Sequence, residues 1–316
     1  MKGWHKRGMK HIAAFVALAL LAAPLDAEEP AKPTPSEIVA AAPLADWTAI
    51  APSDLLIMDL ATDAKGMPRR VVIQLMPPPF SQGWIGNIRK LAAAQWWDGT
   101  SVNRVQDNYV VQWGDASQKK ALPAGLAVVA ESAYFTTAVT KFPYRDRKYR
   151  VSGAIDGPYG ISSFWRGWPV GRDLLKHNWP VHCYGMVGVG RDMPPNTGTG
   201  AELYTVIGHA PRHLDRNIAL VGRVIEGIEH LSSLPRGTGA LGFYETAEER
   251  VPIRSIRLAS EMETDKPLPT YEYLSTESAS FSAYADARAN RRDPFFIRPA
   301  GGADICNIPV PVRRAK

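Results

Sequence analysis

Two apolar runs of strand length, Asp54-Leu-Leu-Ile-Met-Asp-Leu60 and Arg70-Val-Val-Ile-Gln-Leu-Met76, flank a polar turn at Gly66, which is a hairpin signature. From Ser81 to Trp97 the period changes. Ile85, Ile88, Leu91, Ala92 and Trp96 recur at helical spacing, predicting an amphipathic helix packed on a sheet, with Gly99 ending it. Ser101 to Gln106 and Asn108 to Trp113 read as two further short strands joined at Asp107-Asn108. The stretch from His182 to Leu231 is the one around which the chain is organised. A short apolar run enters a Gly/Pro/Asn turn, Gly190 to Gly200, then a strand-like run, Leu203 to Ile207. A polar turn, Pro211 to Asn217, leads to the apolar run Ile218 to Val224 and a short helix, Glu226 to Leu231. Val251 to Ala259 alternates in part and reads as a closing strand, half buried, with Arg254 and Arg257 towards solvent. Thr276 to Arg291 predicts one helix with Phe281, Tyr284, Ala285 and Ala289 on a face, and Pro294, Pro299, Pro309 and Pro311 keep the rest extended.

The glycines of Gly188-Val-Gly190 invite a dinucleotide reading, but a phosphate-binding loop must open directly into a helix, and Pro194, Pro195 and the glycines up to Gly200 oppose one. His209 and His213 have the spacing of zinc ligands on a helix. Pro211 breaks that helix and no H-E-x-x-H frame is present, so no metal or other cofactor is expected. No G-x-S-x-G occurs, which removes support for a hydrolase elbow. The two cysteines, Cys183 and Cys306, form no CxxC. They either pair, tying the C-terminal tail to the core, or stand as isolated buried thiols.

Residues 1–27 change the picture of the charge. Lys2, Lys6, Arg7 and Lys10 precede an apolar run from Ile12 to Ala23, and Leu25-Asp-Ala27 offers a cleavage site, the pattern of a secretory signal. Twelve or so apolar residues fall short of the ~20 that span a bilayer. Removing four cationic residues and Asp26 lowers the net charge from +6 to +3, too weak to argue for nucleic acid. The expectation is a secreted or periplasmic protein with no membrane span after cleavage. Residues 28–53, rich in Ala and Pro, read as a linker or N-terminal arm; 54–262 as one domain with an insertion at about 116–181; and 263–316 as a C-terminal extension. The insertion carries Trp165, Trp168 and Trp179 among Gly and Pro. It reads as a surface elaboration packed on the domain, with an ordered peptide-contacting lid as the alternative.

Two blocks carry a resemblance. The first is Val102-Asn-Arg104-Val-Gln-Asp-Asn-Tyr109-Val-Val-Gln112-Trp-Gly114-Asp115. The second runs from Tyr184-Gly-Met-Val-Gly through Pro195-Asn-Thr-Gly-Thr-Gly-Ala-Glu202-Leu-Tyr204 to His213-Leu-Asp215-Arg-Asn-Ile-Ala-Leu-Val-Gly222-Arg-Val-Ile-Glu-Gly227. Order and spacing resemble those of the cyclophilins, the peptidyl-prolyl cis-trans isomerases. The resemblance implies a mainly β fold, a closed antiparallel barrel of about eight strands capped by two helices. It also implies rotation about X–Pro amides in proline-containing polypeptides. On exported proteins this is a slow folding step. By position, it implies that Arg104 is the catalytic donor, that Tyr109, Tyr204 and Leu214 line the proline pocket, and that Gln112 holds the substrate backbone and orients the arginine.

The departures are specific. Glu202 stands where the family has a glutamine and is expected by that position to bind substrate; Gly188 stands where it has an asparagine, His213 where eukaryotic members carry tryptophan, and Ile218 where a pocket-side histidine is usual. Met186 keeps the family's methionine. Tyrosines at 109 and 204, in place of phenylalanines, suggest a more polar pocket. Two functions share this fold: an isomerase, which needs Arg104, and a non-catalytic chaperone or scaffold, which would use the tryptophan-bearing insertion. Oligomeric state is not readable from the chain.

Overall fold

The computed structural model describes residues 32–139, 161–263 and 267–315. The leader-like residues 1–27 lie outside them. The N-terminal segment forms α1 (Pro35–Ala41) and β1 (Trp47–Ile50). The expected hairpin is β2 (Leu55–Leu60) with β3 (Arg69–Leu75), followed by α2 (Gln82–Ala93), β4 (Ser101–Val105) and β5 (Val110–Gly114). The insertion supplies β6 (Ile161–Trp165), β7 (Trp168–Arg172) and β8 (Asn178–Pro180). Then come β9 (Met186–Val189), β10 (Leu203–Val206), β11 (Leu220–Glu226), α3 (Glu229–Ser232) and β12 (Val251–Leu258). The extension adds β13 (Tyr271–Leu274), α4 (Ala279–Ala289) and β14 (Val312–Arg314).

Eight strands close a barrel in the order β10–β5–β4–β12–β2–β3–β11–β9, each pair antiparallel. Alternation decides which residues fill it. Leu56, Met58 and Leu60 on β2, Val71, Ile73 and Leu75 on β3, and Val111 and Trp113 on β5 point into one buried core. Helix α2 turns Trp84, Ile85, Ile88, Leu91 and Ala92 onto that core, the face its spacing predicts. Burying each large side chain contributes about 1.5–3 kcal/mol.

Two smaller sheets lie outside the barrel, β1–β13–β14 and β6–β7–β8. The segment read as linker or arm is thus woven into the C-terminal extension: β1 pairs with β13. Thr34 and Glu37 form a capping box that starts α1, which packs on α4. Alternation within four residues of β1 is too short to announce a strand, and its partner lies more than two hundred residues along the chain. In α4, Phe281, Tyr284, Ala285 and Ala289 are the buried face. Phe281 meets Phe164 of β6 edge-on at 5.0 Å. The described part of the insertion therefore packs on barrel and tail. Cys183 and Cys306 are joined in a disulfide with Cα atoms 5.1 Å apart, which resolves the alternative left open by the chain. Among the described residues no helix is long and apolar enough to cross a membrane.

Candidate functional site

Strand β4 would carry Val102 and Arg104 to the same face if it alternated regularly. It does not, because a bulge at Asn103 breaks the register between Val102 and Arg104. Val102 and Val105 both enter the core, and Arg104 is turned outward. Bulges commonly re-aim a side chain in this way. Arg104 then lies directly opposite Gln112 of β5, Gln112 opposite Tyr204 of β10, and Tyr204 opposite Gly188 of β9. Four adjacent strands thus present one row of positions.

Beside that row lies an apolar cluster separate from the barrel core. Val110, Tyr204 and Val206 are buried in it, with Tyr109, Leu214 and Ile218 packed around them. Val110 and Val206 are register partners on β5 and β10. The predicted pocket residues Tyr109, Tyr204 and Leu214 are therefore brought together, and Ile218 completes the patch. His213 is exposed at its rim, its ring parallel to Tyr109 at 6.3 Å.

The half-buried Arg104 guanidinium stands over the Tyr109 ring at 5.7 Å. Its Nη1 donates to Gln112 Oε1 at 3.2 Å, its Nη2 to Gln106 Oε1, and its Nε to the Leu241 carbonyl at 2.8 Å. Among the described residues no carboxylate is within ion-pair distance of it. Burial lowers its pKa from the ordinary arginine value, partly offset by Tyr109. The same burial raises the Tyr109 phenol, with Arg104 opposing.

Tyr204 alters the expectation of a more polar pocket. Its hydroxyl faces away from the cluster, 2.9 Å from Nε2 of the buried His182. His182 Nδ1 lies 2.8 Å from Asp215 Oδ1, and Asp215 Oδ2 accepts from Arg212 Nε at 2.6 Å. With Nδ1–H donated to Asp215, Nε2 accepts the tyrosine proton. Burial and the nearby Tyr109 and Asp215 raise the Tyr204 pKa far above that of a free phenol, so it stays neutral. Gly188 makes room for this arrangement: a Cβ there would meet the Tyr204 hydroxyl at 2.3 Å. The two departures from the family pattern at 188 and 204 are thus one packing solution.

Glu202 is half-buried beside Gly114. Its Oε1 accepts from the Asp115 backbone N–H at 2.7 Å, in the space that Gly114 leaves open. Burial pushes the carboxyl up to about 7.

Two contributors were not visible in the sequence. The loop before β12 brings Leu241 and Phe243 over β4. Phe243 bridges to the Arg104 backbone and sets its ring 5.2 Å from the guanidinium. Leu241 and Phe243 are both exposed. No local pattern marks residues so far along the chain from the arginine they touch, Leu241 lying 137 positions away.

Comparison with known proteins places the chain. Residues 58–259 match the family model described as "Cyclophilin type peptidyl-prolyl cis-trans isomerase/CLD". The crystal structure of cyclophilin AquaCyp293 from Hirschia baltica superposes with a TM-score of 0.62 at 21% identity, covering 85% of this chain and 94% of that one. That coverage exceeds residues 58–259, so part of the architecture outside the matched domain is common to both. A cyclophilin-type isomerase of Cryptosporidium parvum, solved in the presence of the dipeptide Ala-Pro, gives a TM-score of 0.37 at 10% identity, covering 64% of this chain and 98% of that one. No curated protein matches the sequence.

Proposed function

The chain belongs to the cyclophilin-type peptidyl-prolyl cis-trans isomerases, and we propose that it turns X–Pro bonds in exported polypeptides, with Arg104 stabilising the twisted amide. Rotation meets a barrier of about 18–20 kcal/mol because amide resonance must be lost. As the amide twists, the prolyl nitrogen becomes pyramidal and gains a lone pair that a hydrogen-bond donor can hold. A preplaced donor that bonds the twisted state better than the planar one lowers the barrier without a nucleophile, metal or redox group.

One observation carries this reading: Arg104 and Gln112 stand on the row that borders an apolar cluster, with Arg104 over Tyr109. Val110, Tyr204, Val206, Tyr109, Leu214 and Ile218 would hold the ring. The charged guanidinium would reach the prolyl nitrogen, and Gln112 would meet the peptide backbone. Export is supported by the leader pattern of residues 1–27 and by the Cys183–Cys306 disulfide, a bond that persists in oxidising compartments.

The test is isomerisation of a short X–Pro peptide by residues 28–316. Arg104→Ala is expected to lower kcat/KM by roughly 100-fold or more, the cost of removing a single preplaced donor, while the protein stays folded. A wild type that binds proline peptides without accelerating their exchange would replace the catalytic reading with a cyclophilin-shaped binding protein.

A further inference from the structure

The loop between α3 and β12 lays two apolar side chains in the open beside Arg104. Leu241 is 67% exposed and Phe243 40%. A single exposed apolar residue is ordinary on a protein surface. These two differ because both meet the same guanidinium: the Leu241 carbonyl accepts from Arg104 Nε at 2.8 Å, and the Phe243 ring lies 5.2 Å from it.

The loop is fixed to β4 on either side of them. The Gly237 N–H donates to the Val105 carbonyl and the Tyr244 N–H to the Asn103 carbonyl, each at 3.0 Å. Across the loop, the Gly239 N–H donates to the Phe243 carbonyl at 2.9 Å, and the Tyr244 hydroxyl to the Pro235 carbonyl at 2.7 Å. Gly242 lets the loop come this close, since a Cβ there would fall 2.6 Å from Gln106 Cα. Leu241 itself holds a left-handed backbone, φ 56°, which a bulky side chain rarely adopts. Such a conformation persists only where its surroundings over-determine it, and residues of this kind cluster at ligand clamps.

Arg104 therefore has one aromatic neighbour within the pocket cluster, Tyr109, and another outside it, Phe243. To be stabilised by Arg104, the prolyl nitrogen must come to the guanidinium. With the ring held against Tyr109, Tyr204 and Leu214, a residue next to the proline comes within reach of Phe243 and Leu241, because each extended residue advances only roughly 3.3–3.6 Å.

We propose that Leu241 and Phe243 are specificity-determining residues: their side chains form a second, apolar subsite that takes a large apolar side chain next to the proline. This rests on the isomerase reading of the same site. Contact there removes hydrocarbon from water on both partners. A cationic neighbour would instead meet the charge of Arg104.

The experiment measures kcat/KM and Kd for two series of short proline peptides, one varying the residue before the proline and one the residue after it, with Ala, Leu, Phe, Glu and Lys in turn. In one of the series Leu and Phe are expected to exceed Ala by roughly tenfold, the scale of a small hydrophobic pocket, with Glu and Lys no better than Ala. Leu241→Asn keeps the carbonyl that holds Arg104 and supplies a residue that enters the left-handed region more readily. It should lower the Leu-to-Ala ratio below roughly threefold, and Phe243→Ser should do the same. A change that only loosens Arg104 lowers every peptide alike and leaves that ratio where it was. A wild type indifferent to both neighbours, a preference for Glu, or a ratio that Leu241→Asn and Phe243→Ser leave unchanged overturns the proposal. If no peptide is isomerised, but Kd shows the preference for Leu over Ala and Leu241→Asn abolishes it, the subsite stands and the isomerase reading falls. If neither isomerisation nor binding is found, both fall.

Discussion

Arg104 on β4 and Arg223 on β11 both leave the barrel through its outer face. Each lies opposite a glutamine on the neighbouring strand, Gln112 and Gln74 respectively. Each guanidinium also sits between two aromatic rings. For Arg104 these are Tyr109 and Phe243 at 5.7 and 5.2 Å, and for Arg223 they are Trp168 and Tyr273 at 4.5 and 5.9 Å. Each bonds a glutamine oxygen and a backbone carbonyl, Leu241 in one case and Gly167 in the other. What differs is the cover. Trp168 and Gly167 belong to the insertion and Tyr273 to the extension, and together they seal Arg223 from water. Burial drives its pKa down to about 10, where it is still charged at neutral pH. Arg104 has only Leu241 and Phe243 above it, both exposed, and an open apolar cluster beside it. An arginine–glutamine pair among aromatics is thus a motif this barrel uses twice. Access to a substrate, more than the composition of the pair, separates the candidate site from a structural joint.

Three substitutions sharpen that contrast. Arg223→Ala should lower the unfolding free energy by about 3 kcal/mol, because it leaves Gln74 and the Gly167 carbonyl unpaired in a buried cavity. Urea unfolding measures this, and kcat/KM per folded molecule should not change. Loss of activity there comparable to that of Arg104→Ala would break the comparison. Cys306→Ser should cost about 2–4 kcal/mol, since the bridge spans 123 residues. The loosened extension should show faster amide exchange in β13 and β1 than in β4 and β5. The smallest effect is expected from Tyr204→Phe. It leaves His182 Nε2 unpartnered in the interior at about 1 kcal/mol. The aromatic surface offered to proline is kept, so kcat/KM should move by less than roughly twofold, the scale of a contact that is not remade in the transition state.

Local pattern accounts for much of what was legible. The β2–β3 hairpin, the face of α2 and the four buried residues of α4 follow from periodicity, because burial on one side imposes it. The row of Arg104, Gln112 and Tyr204 was reachable only by resemblance. A strictly alternating β4 gives Arg104 the same face as Val102, and the Asn103 bulge that separates them leaves no mark in the composition. The covering of Arg223 was hidden for a related reason. Gly167, Trp168 and Tyr273 come from two segments outside the recognisable domain, and chain distance carries no signal for such contacts. The environment of Tyr204 was also unreadable, since the tyrosine, His182 and Gly188 fit one another across three separate positions and each alone looks like an unrelated change. Glu202 reads as a substrate contact in the sequence, because nothing there shows that its carboxyl takes the Asp115 N–H in the space left open over Gly114.

The most direct measurement sets wild type, Arg104→Ala and Arg223→Ala side by side in isomerisation of one X–Pro peptide, with rates corrected for the folded fraction. The open-site account predicts a loss of roughly 100-fold or more for Arg104→Ala and a rate within about twofold of wild type for Arg223→Ala, whose contacts stay the same through the reaction. Equal losses in both variants, or full activity in Arg104→Ala, would contradict it.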